Sequence, residues 1–140
     1  MADREEIYSI EAIRERLSLL FQEEGLQLVL LFGSVVHKRI HKKSDIDLAF
    51  LFDKPIDILL LTNQVTRLLR RGRVDVVDLR YASPLLRFSV VREGKLLYER
   101  TPGLFSTFCS LVFRRYVDTK KIRDAQGEVI KHFLEEKGIG

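Results

Sequence analysis

Two short motifs, a Gly-Ser pair and a pair of aspartates, limit what this chain can fold into more than any other feature. An apolar run ends at Gly33-Ser34, and after ten intervening residues a second apolar run opens with Asp45-Ile46-Asp47. Because side chains alternate along a strand, Asp45 and Asp47 would point to the same face. Two carboxylates on one face are costly unless a cation shares them, and Mg²⁺ prefers oxygen ligands and phosphates. The aspartates therefore predict a metal site at the start of a strand.

The Gly33-Ser34 pair predicts the phosphate side of the same site. Glycine lets the backbone approach a phosphate closely, and a short helix over 34–39 would direct free N–H groups toward it. The basic run at 37–43 is either a solvated loop or a phosphate contact, and we expect Lys38 and Lys43 to reach the triphosphate. Together the two motifs predict a site for magnesium and a nucleotide.

Length and composition predict one globular domain over residues 1–140, with a core at about 9–100 and a C-terminal helix at about 104–137. The net charge of +4 suits a polyanionic small ligand, whereas nucleic acid is disfavoured because the cations are not interleaved with stacking aromatics. A single cysteine, Cys109, excludes an internal disulfide. The chain has a charged start and no run of about 20 apolar residues, so we expect a cytoplasmic protein without a membrane segment.

Hydrophobic periodicity predicts an α/β core with a small sheet flanked by helices. The predicted elements are, in chain order, a helix at 9–24, a buried strand at 26–32, the short helix at 34–39, a loop at 40–44, a strand at 46–52, a helix from Pro55 to near Gly72, a strand at 73–80, a short helix from Ser83-Pro84, an edge strand at 96–99 and the long last helix. The hairpin-like link between the first two strands predicts a mixed sheet.

The third long strand carries two acids, Asp75 and Asp78, in an otherwise apolar run. They are three residues apart, so they face opposite sides of the strand and at most one can join Asp45 and Asp47. Strand alternation alone does not choose between them. Three carboxylates around two Mg²⁺ ions would hold a triphosphate and activate a hydroxyl for in-line attack at the α-phosphate.

The stretch GSVVHKRIHKKSDIDLAFLF resembles the GSx₁₀DxD motif of the DNA polymerase β-like nucleotidyltransferase superfamily. The run VDVVDL resembles the strand that carries the third acid of that superfamily. The small size, the late LLYER strand and a last helix containing RRYVDTKKIRD are similar to the minimal nucleotidyltransferases, and most of all to the antitoxins of HEPN/MNT toxin–antitoxin modules. The resemblance covers nearly the whole chain.

That resemblance implies a polymerase β-like nucleotidyltransferase fold and a set of site residues. It implies that Asp45 and Asp47 bind both Mg²⁺ ions, and that Gly33 and Ser34 hold the β- and γ-phosphates. It also implies that Asp75 completes the metal triad. In this scheme Asp47 and Asp75 hold the ion that activates the acceptor hydroxyl, while Asp45 and Asp47 hold the ion on the nucleotide.

The same resemblance implies transfer of AMP from ATP to a hydroxyl, with a tyrosine of a partner HEPN toxin as the acceptor. Two alternatives stay open. One is a small-molecule acceptor of the aminoglycoside type, although the chain has no second domain to build an acceptor pocket. The other is a catalytically idle antitoxin that acts by binding alone, against which the intact acids argue. The apolar stripe between Leu104 and Ile122 predicts core packing for about half of its residues and a partner or homo-oligomer face for the rest.

Overall fold

The computed structural model describes residues 7–33, 40–41 and 45–138. The elements in this part of the chain are, in order, β1 (Ile7–Tyr8), α1 (Ile10–Leu17), a 3-10 helix (Ser18–Gln22), β2 (Leu26–Phe32), β3 (Ile40–His41), β4 (Ile46–Phe52), α2 (Ile58–Leu69), β5 (Val74–Asp78), α3 (Pro84–Glu93), β6 (Lys95–Glu99) and α4 (Leu104–Glu136). The α/β class and the long C-terminal helix that the sequence predicts are confirmed.

Four strands form a mixed sheet in the order β5-β4-β2-β6. Strand β2 pairs antiparallel with both β4 and β6, whereas β4 and β5 run parallel. A hairpin-like link can join antiparallel neighbours directly, but parallel strands need a longer crossover, which α2 provides here. The predicted mixed sheet and the predicted edge position of β6 are both confirmed.

The prediction of a loop at 40–44 is wrong for its first two residues. Ile40 and His41 form β3, which pairs antiparallel with Ile7 and Tyr8 of β1. A two-residue strand has no hydrophobic period to detect, and its partner lies more than 30 residues earlier in the chain. Only the tertiary fold reveals this pairing.

Both faces of the sheet are apolar, and β4 contributes buried side chains to each of them. Phe50 is fully buried in the layer between the sheet and helices α1 and α2. Ala49, which points the opposite way, is buried in the layer under α3 and the first part of α4. A strand with two buried faces reads as a continuous apolar run, and this explains the sequence after Asp47.

Capping residues set where the first helices begin. The Ser9 hydroxyl accepts a hydrogen bond from the Ala12 N–H at 3.0 Å, so the predicted cap of α1 is confirmed. The α-helical part stops at Leu17 and continues as the 3-10 helix, short of the predicted end at residue 24. Tighter 3-10 turns are common at helix ends, and the sequence period does not distinguish them from α-helix.

Helix α2 begins later than the sequence predicts. We expected Pro55 in its first turn, but the helix starts at Ile58. The Asp57 carboxylate accepts hydrogen bonds from the Leu59 and Leu60 N–H groups, each at 3.1 Å, and so caps two free donors. A proline has no comparable acceptor to offer, which is why the cap and not the proline fixes the boundary.

Helix α4 packs on the sheet with its first half and is exposed along its second. Val112 is buried, and the Tyr116 ring stacks on Phe88 of α3 with ring centroids 3.9 Å apart. From Lys120 to Lys137 every side chain is exposed except those of Arg123 and Leu134, which are partly buried. The predicted division of the apolar stripe agrees with this arrangement, and the predicted homo-oligomer stays a prediction. Within the described residues, none of the helices is long and apolar enough to cross a membrane.

Candidate active site

The pairing of β4 with β5 brings two acids together at one end of the sheet. The Cα partner of Asp47 is Asp75, and the Ile46 N–H donates to the Arg73 carbonyl at 3.0 Å at the start of this ladder. Residues opposite each other on neighbouring strands share a face of the sheet. Asp78 pairs instead with Phe50, three residues further along the strand. Of the two acids that strand alternation left open, Asp75 is the one beside Asp47.

The carboxyl groups of Asp47 and Asp75 are close enough to share a hydrogen bond. Burial raises the pKa of Asp47 above its ordinary value of 3.8, and the charge of Asp75, their hydrogen bond and the charge of Asp45 raise it further. Like charges this close favour the neutral form of one carboxyl. A cation bound by both carboxylates would relieve this repulsion.

Asp45 lies at the open end of the site, beside a cation. Its Oδ1 is 3.9 Å from Nη1 of Arg73, and both side chains are largely exposed. Arg73 precedes β5 and lies two residues before Asp75, so the two side chains share a face. Sequence reasoning missed Arg73, although its alternation with Asp75 in the run RVDVV was a visible signal.

Within residues 7–33, 40–41 and 45–138, no three acid, histidine or cysteine side chains are arranged as a metal-binding group. The structure assembles the Asp47–Asp75 pair and leaves Asp45 at its edge, close enough for its charge to raise the pKa of Asp47. The donor set itself fits magnesium, because all three groups offer carboxylate oxygens and none offers sulfur or imidazole. The metal-binding roles of Asp45, Asp47 and Asp75 remain predictions.

Gly33 is required at its position for two reasons. Its φ of +86° lies in the left-handed region that favours glycine. It also follows Phe32, the Cα partner of Asp47, and a Cβ added at Gly33 would overlap the Asp47 carboxylate oxygen. The glycine thus lets the end of β2 pass directly beside the acid. The other predicted phosphate contacts, Ser34, Lys38 and Lys43, and the short helix at 34–39, lie outside the described residues.

Two further side chains with reactive groups, His132 and Cys109, lie on α4. The His132 side chain is 79% exposed, and its Nδ1 is 3.9 Å from a carboxylate oxygen of Glu135. Cys109 is partly buried, and burial raises the pKa of its thiol, which keeps it in the unreactive protonated form. Neither residue adds chemistry to the site.

The fold and the site together define a class of protein. The fold is a mixed sheet with carboxylates at the start of two parallel strands and a glycine turn at the end of the antiparallel one. The family described as polymerase beta, nucleotidyltransferase matches residues 15–102, which include both motifs and all of β5. The chain belongs to this nucleotidyltransferase family, as the resemblance in the sequence predicts.

Relatives with assigned activities narrow the class further. The chain is 30% identical over 149 aligned residues to the protein adenylyltransferase MntA of Aphanizomenon flos-aquae (strain 2012/KM1/D3), covering 97% of this chain and 99% of that protein. It is 40% identical over 75 residues to the protein adenylyltransferase MntA of Shewanella oneidensis, covering 52% of this chain and 54% of that one.

Solved structures of toxin–antitoxin complexes contain chains with a similar fold. A toxin–antitoxin structure with AMP-PNP contains a chain that matches with a TM-score of 0.72 and 30% identity, covering 89% of this chain and 99% of that one. A complex of the tri-AMPylated Shewanella oneidensis HEPN toxin with its MNT antitoxin contains a chain that matches with a TM-score of 0.71 and 27% identity, covering 88% and 99%. The predicted polymerase β-like fold is confirmed.

Proposed function

We propose that the protein is a magnesium-dependent protein adenylyltransferase, which transfers AMP from ATP to a tyrosine of a partner HEPN toxin and thereby silences that toxin. The observation that carries the proposal is the pairing of Asp47 with Asp75 on one face of the sheet, directly beside the Gly33 turn. This arrangement supplies oxygen ligands for a cation next to backbone that a phosphate can approach.

The acceptor is inferred from the relatives. Both MntA proteins are protein adenylyltransferases, and one matched complex holds an AMPylated HEPN toxin. The nucleotide is inferred from the relative that was solved with AMP-PNP, an analogue of ATP. As predicted from the sequence, we expect the reaction to take place in the cytoplasm.

In this proposal Asp45, Asp47 and Asp75 hold two magnesium ions. Magnesium bound there would neutralise the triphosphate and lower the pKa of the acceptor hydroxyl. The tyrosine oxygen would then form a bond to the α-phosphorus while the bond to the β-phosphate oxygen breaks, so that pyrophosphate leaves and the hydroxyl proton passes to water.

The decisive experiment compares two acids of the same strand. Purified protein is incubated with ATP, Mg²⁺ and the toxin encoded beside it, and the mass of the toxin is measured. We expect a rise of one or more AMP units for the wild type, and a loss of at least about 100-fold in rate for Asp75→Asn, because that variant removes a predicted metal ligand. Asp78→Asn, the matched control, should keep the wild-type rate.

Two results would contradict the proposal. A wild-type protein that binds the toxin tightly but leaves its mass unchanged would instead support a binding-only antitoxin. Equal losses for Asp75→Asn and Asp78→Asn would mean that the position beside Asp47 carries no special role. Circular dichroism of each variant checks that the fold is intact.

A further inference from the structure

The order of the strands puts Gly33 and Asp75 on opposite sides of β4. Gly33 directly follows β2, which lies on one side of β4, and Asp75 lies in β5 on the other side. The nucleotide phosphates are predicted on the β2 side. The β5 side is therefore left for the acceptor, and β5 is an edge strand of the four-stranded sheet, with no further strand beyond it in the described residues.

A basic turn leads into this edge. We define it as residues 70–73, Arg-Arg-Gly-Arg, which connect α2 to β5. Arg70 and Arg73 are exposed, whereas Arg71 is buried and belongs to the packing of the domain. Nη1 of Arg73 is 3.9 Å from Oδ1 of Asp45, so the turn ends at the rim of the site. One exposed cation thus lies at the site, and a second lies three residues earlier in the same turn.

Arg70 adopts a backbone conformation that arginine disfavours. Its φ of 55° and ψ of 43° are left-handed, and within the described residues it is the one non-glycine residue with a positive φ. Such a conformation is normally given to glycine or asparagine at the C-terminal end of a helix. Here a long cationic side chain occupies that position although Gly72 is only two residues away. The C-cap position of α2 therefore carries an exposed arginine, three residues before Arg73 at the rim of the site.

Resting on the proposed function, we infer that this basic turn recognises an acidic segment of the acceptor protein, which presents the tyrosine to Asp47 and Asp75. Guanidinium groups bind carboxylates with two parallel hydrogen bonds, and they therefore select acidic residues by geometry as well as charge. Asp45 offsets part of the positive charge of Arg73, whereas within the described residues no acid forms an ion pair with Arg70, so Arg70 carries most of the recognition.

Binding of defined peptides tests this inference without any nucleotide. Three fluorescent peptides carry one tyrosine flanked by glutamates, by glutamines or by lysines. We expect the wild type to bind the glutamate peptide about tenfold more tightly than the glutamine peptide, with a preference that weakens as salt is added. Arg70→Glu should abolish the preference, and Arg70→Glu combined with Arg73→Glu should transfer it to the lysine peptide.

Arg80→Glu is the matched control, because Arg80 is an exposed arginine beyond the opposite end of β5. It should keep the wild-type preference. If the three peptides bind wild type equally, or if Arg70→Glu and Arg80→Glu weaken the glutamate peptide alike, the basic turn does not recognise the acceptor. If the acidic preference is found but ATP never modifies the tyrosine of any acceptor, the proposed function fails while the recognition surface stands.

Discussion

At the scale of single residues, the described part of the site concentrates negative charge, with Asp45, Asp47 and Asp75 at one end of the sheet. Asp47 and Asp75 are partners on neighbouring strands, and Arg73 lies beside Asp45. A site of this kind binds a cation well because the carboxylates repel each other without one. The same repulsion costs the folded state some stability.

The raised pKa of Asp47 predicts how that cost depends on pH. In the unfolded chain the carboxyl ionises near its ordinary value of 3.8, whereas in the folded protein it keeps its proton to higher pH. The contribution of this carboxyl to the free energy of unfolding is therefore fully present below pH 3.8 and is lost as the pH rises through the pKa of the folded state. We expect Asp47→Asn, which cannot ionise, to unfold in urea with a free energy up to about 1 kcal/mol higher than wild type at neutral pH, since solvent screens this partly exposed pair.

The difference between Asp47→Asn and wild type should vanish in acid below the ordinary pKa, and magnesium should stabilise the wild type alone. Asp78→Asn is the control, because its side chain lies at the far end of β5, where it accepts a hydrogen bond from the Arg80 N–H. A gain in stability for Asp78→Asn equal to that of Asp47→Asn would show that the effect is unrelated to the acid pair.

At the scale of elements, caps and close backbone contacts decide where the helices begin and end. Asp57 caps α2 through two N–H groups, and Ser83 caps α3 by accepting from the Leu86 N–H at 3.2 Å. Helix α2 matters to the site because it carries the chain from the end of β4 back to the start of β5. Its N-terminal boundary therefore helps to set the parallel register that pairs Asp47 with Asp75.

We expect Asp57→Ala to lower the free energy of unfolding by about 1 kcal/mol, because two N–H groups of α2 lose their acceptor. Asp57→Asn should retain nearly all of the stability, since an asparagine oxygen caps a helix as well as aspartate does. Urea titration at neutral pH measures both. An equal loss for the two variants would mean that the charge of Asp57, and not its hydrogen bonds, is what the helix needs.

At the scale of the whole molecule, the sheet and the first half of α4 form the packed body, and the second half of α4 adds little to it. Leu104, Phe105 and Phe108 contact the layer under α3, whereas Ile122 and Phe133 are 59% and 55% exposed. Exposed apolar side chains on one helix are typical of a surface that a partner covers. The described chain alone does not bury this face.

This division predicts the result of shortening the chain. Removing everything after Arg123 should shift the melting temperature by no more than about 2 °C, because the deleted side chains are almost all exposed. Ending the chain at Leu111 should lower it much further, because that deletion also removes the buried Val112 and the Tyr116 ring that stacks on Phe88. Calorimetry distinguishes the two cases. A large loss from the shorter deletion would mean that the end of α4 stabilises the fold.

The sequence by itself determined the motif and the class of fold. Alternation along one strand put Asp45 and Asp47 on the same face, and the turn at Gly33 tied them to the neighbouring strand. These relationships are local, because β2 and β4 are neighbours in the described sheet and the motifs lie at their facing ends. The apolar runs that became β2, β4 and β5 were equally visible, because strands buried on both faces leave continuous hydrophobic stretches.

The resemblance implied Asp75 as the third acid, but only the tertiary structure shows that Asp75 lies beside Asp47 and that Arg73 lies beside Asp45. The choice of Asp75 over Asp78, and the position of Arg73 next to Asp45, both follow from the register of β4 against β5. Those strands are parallel and joined through a whole helix, so their register depends on how α2 packs and not on any adjacent residues. A shift of one residue would turn Asp75 to the opposite face, and no local pattern in the sequence records that alignment.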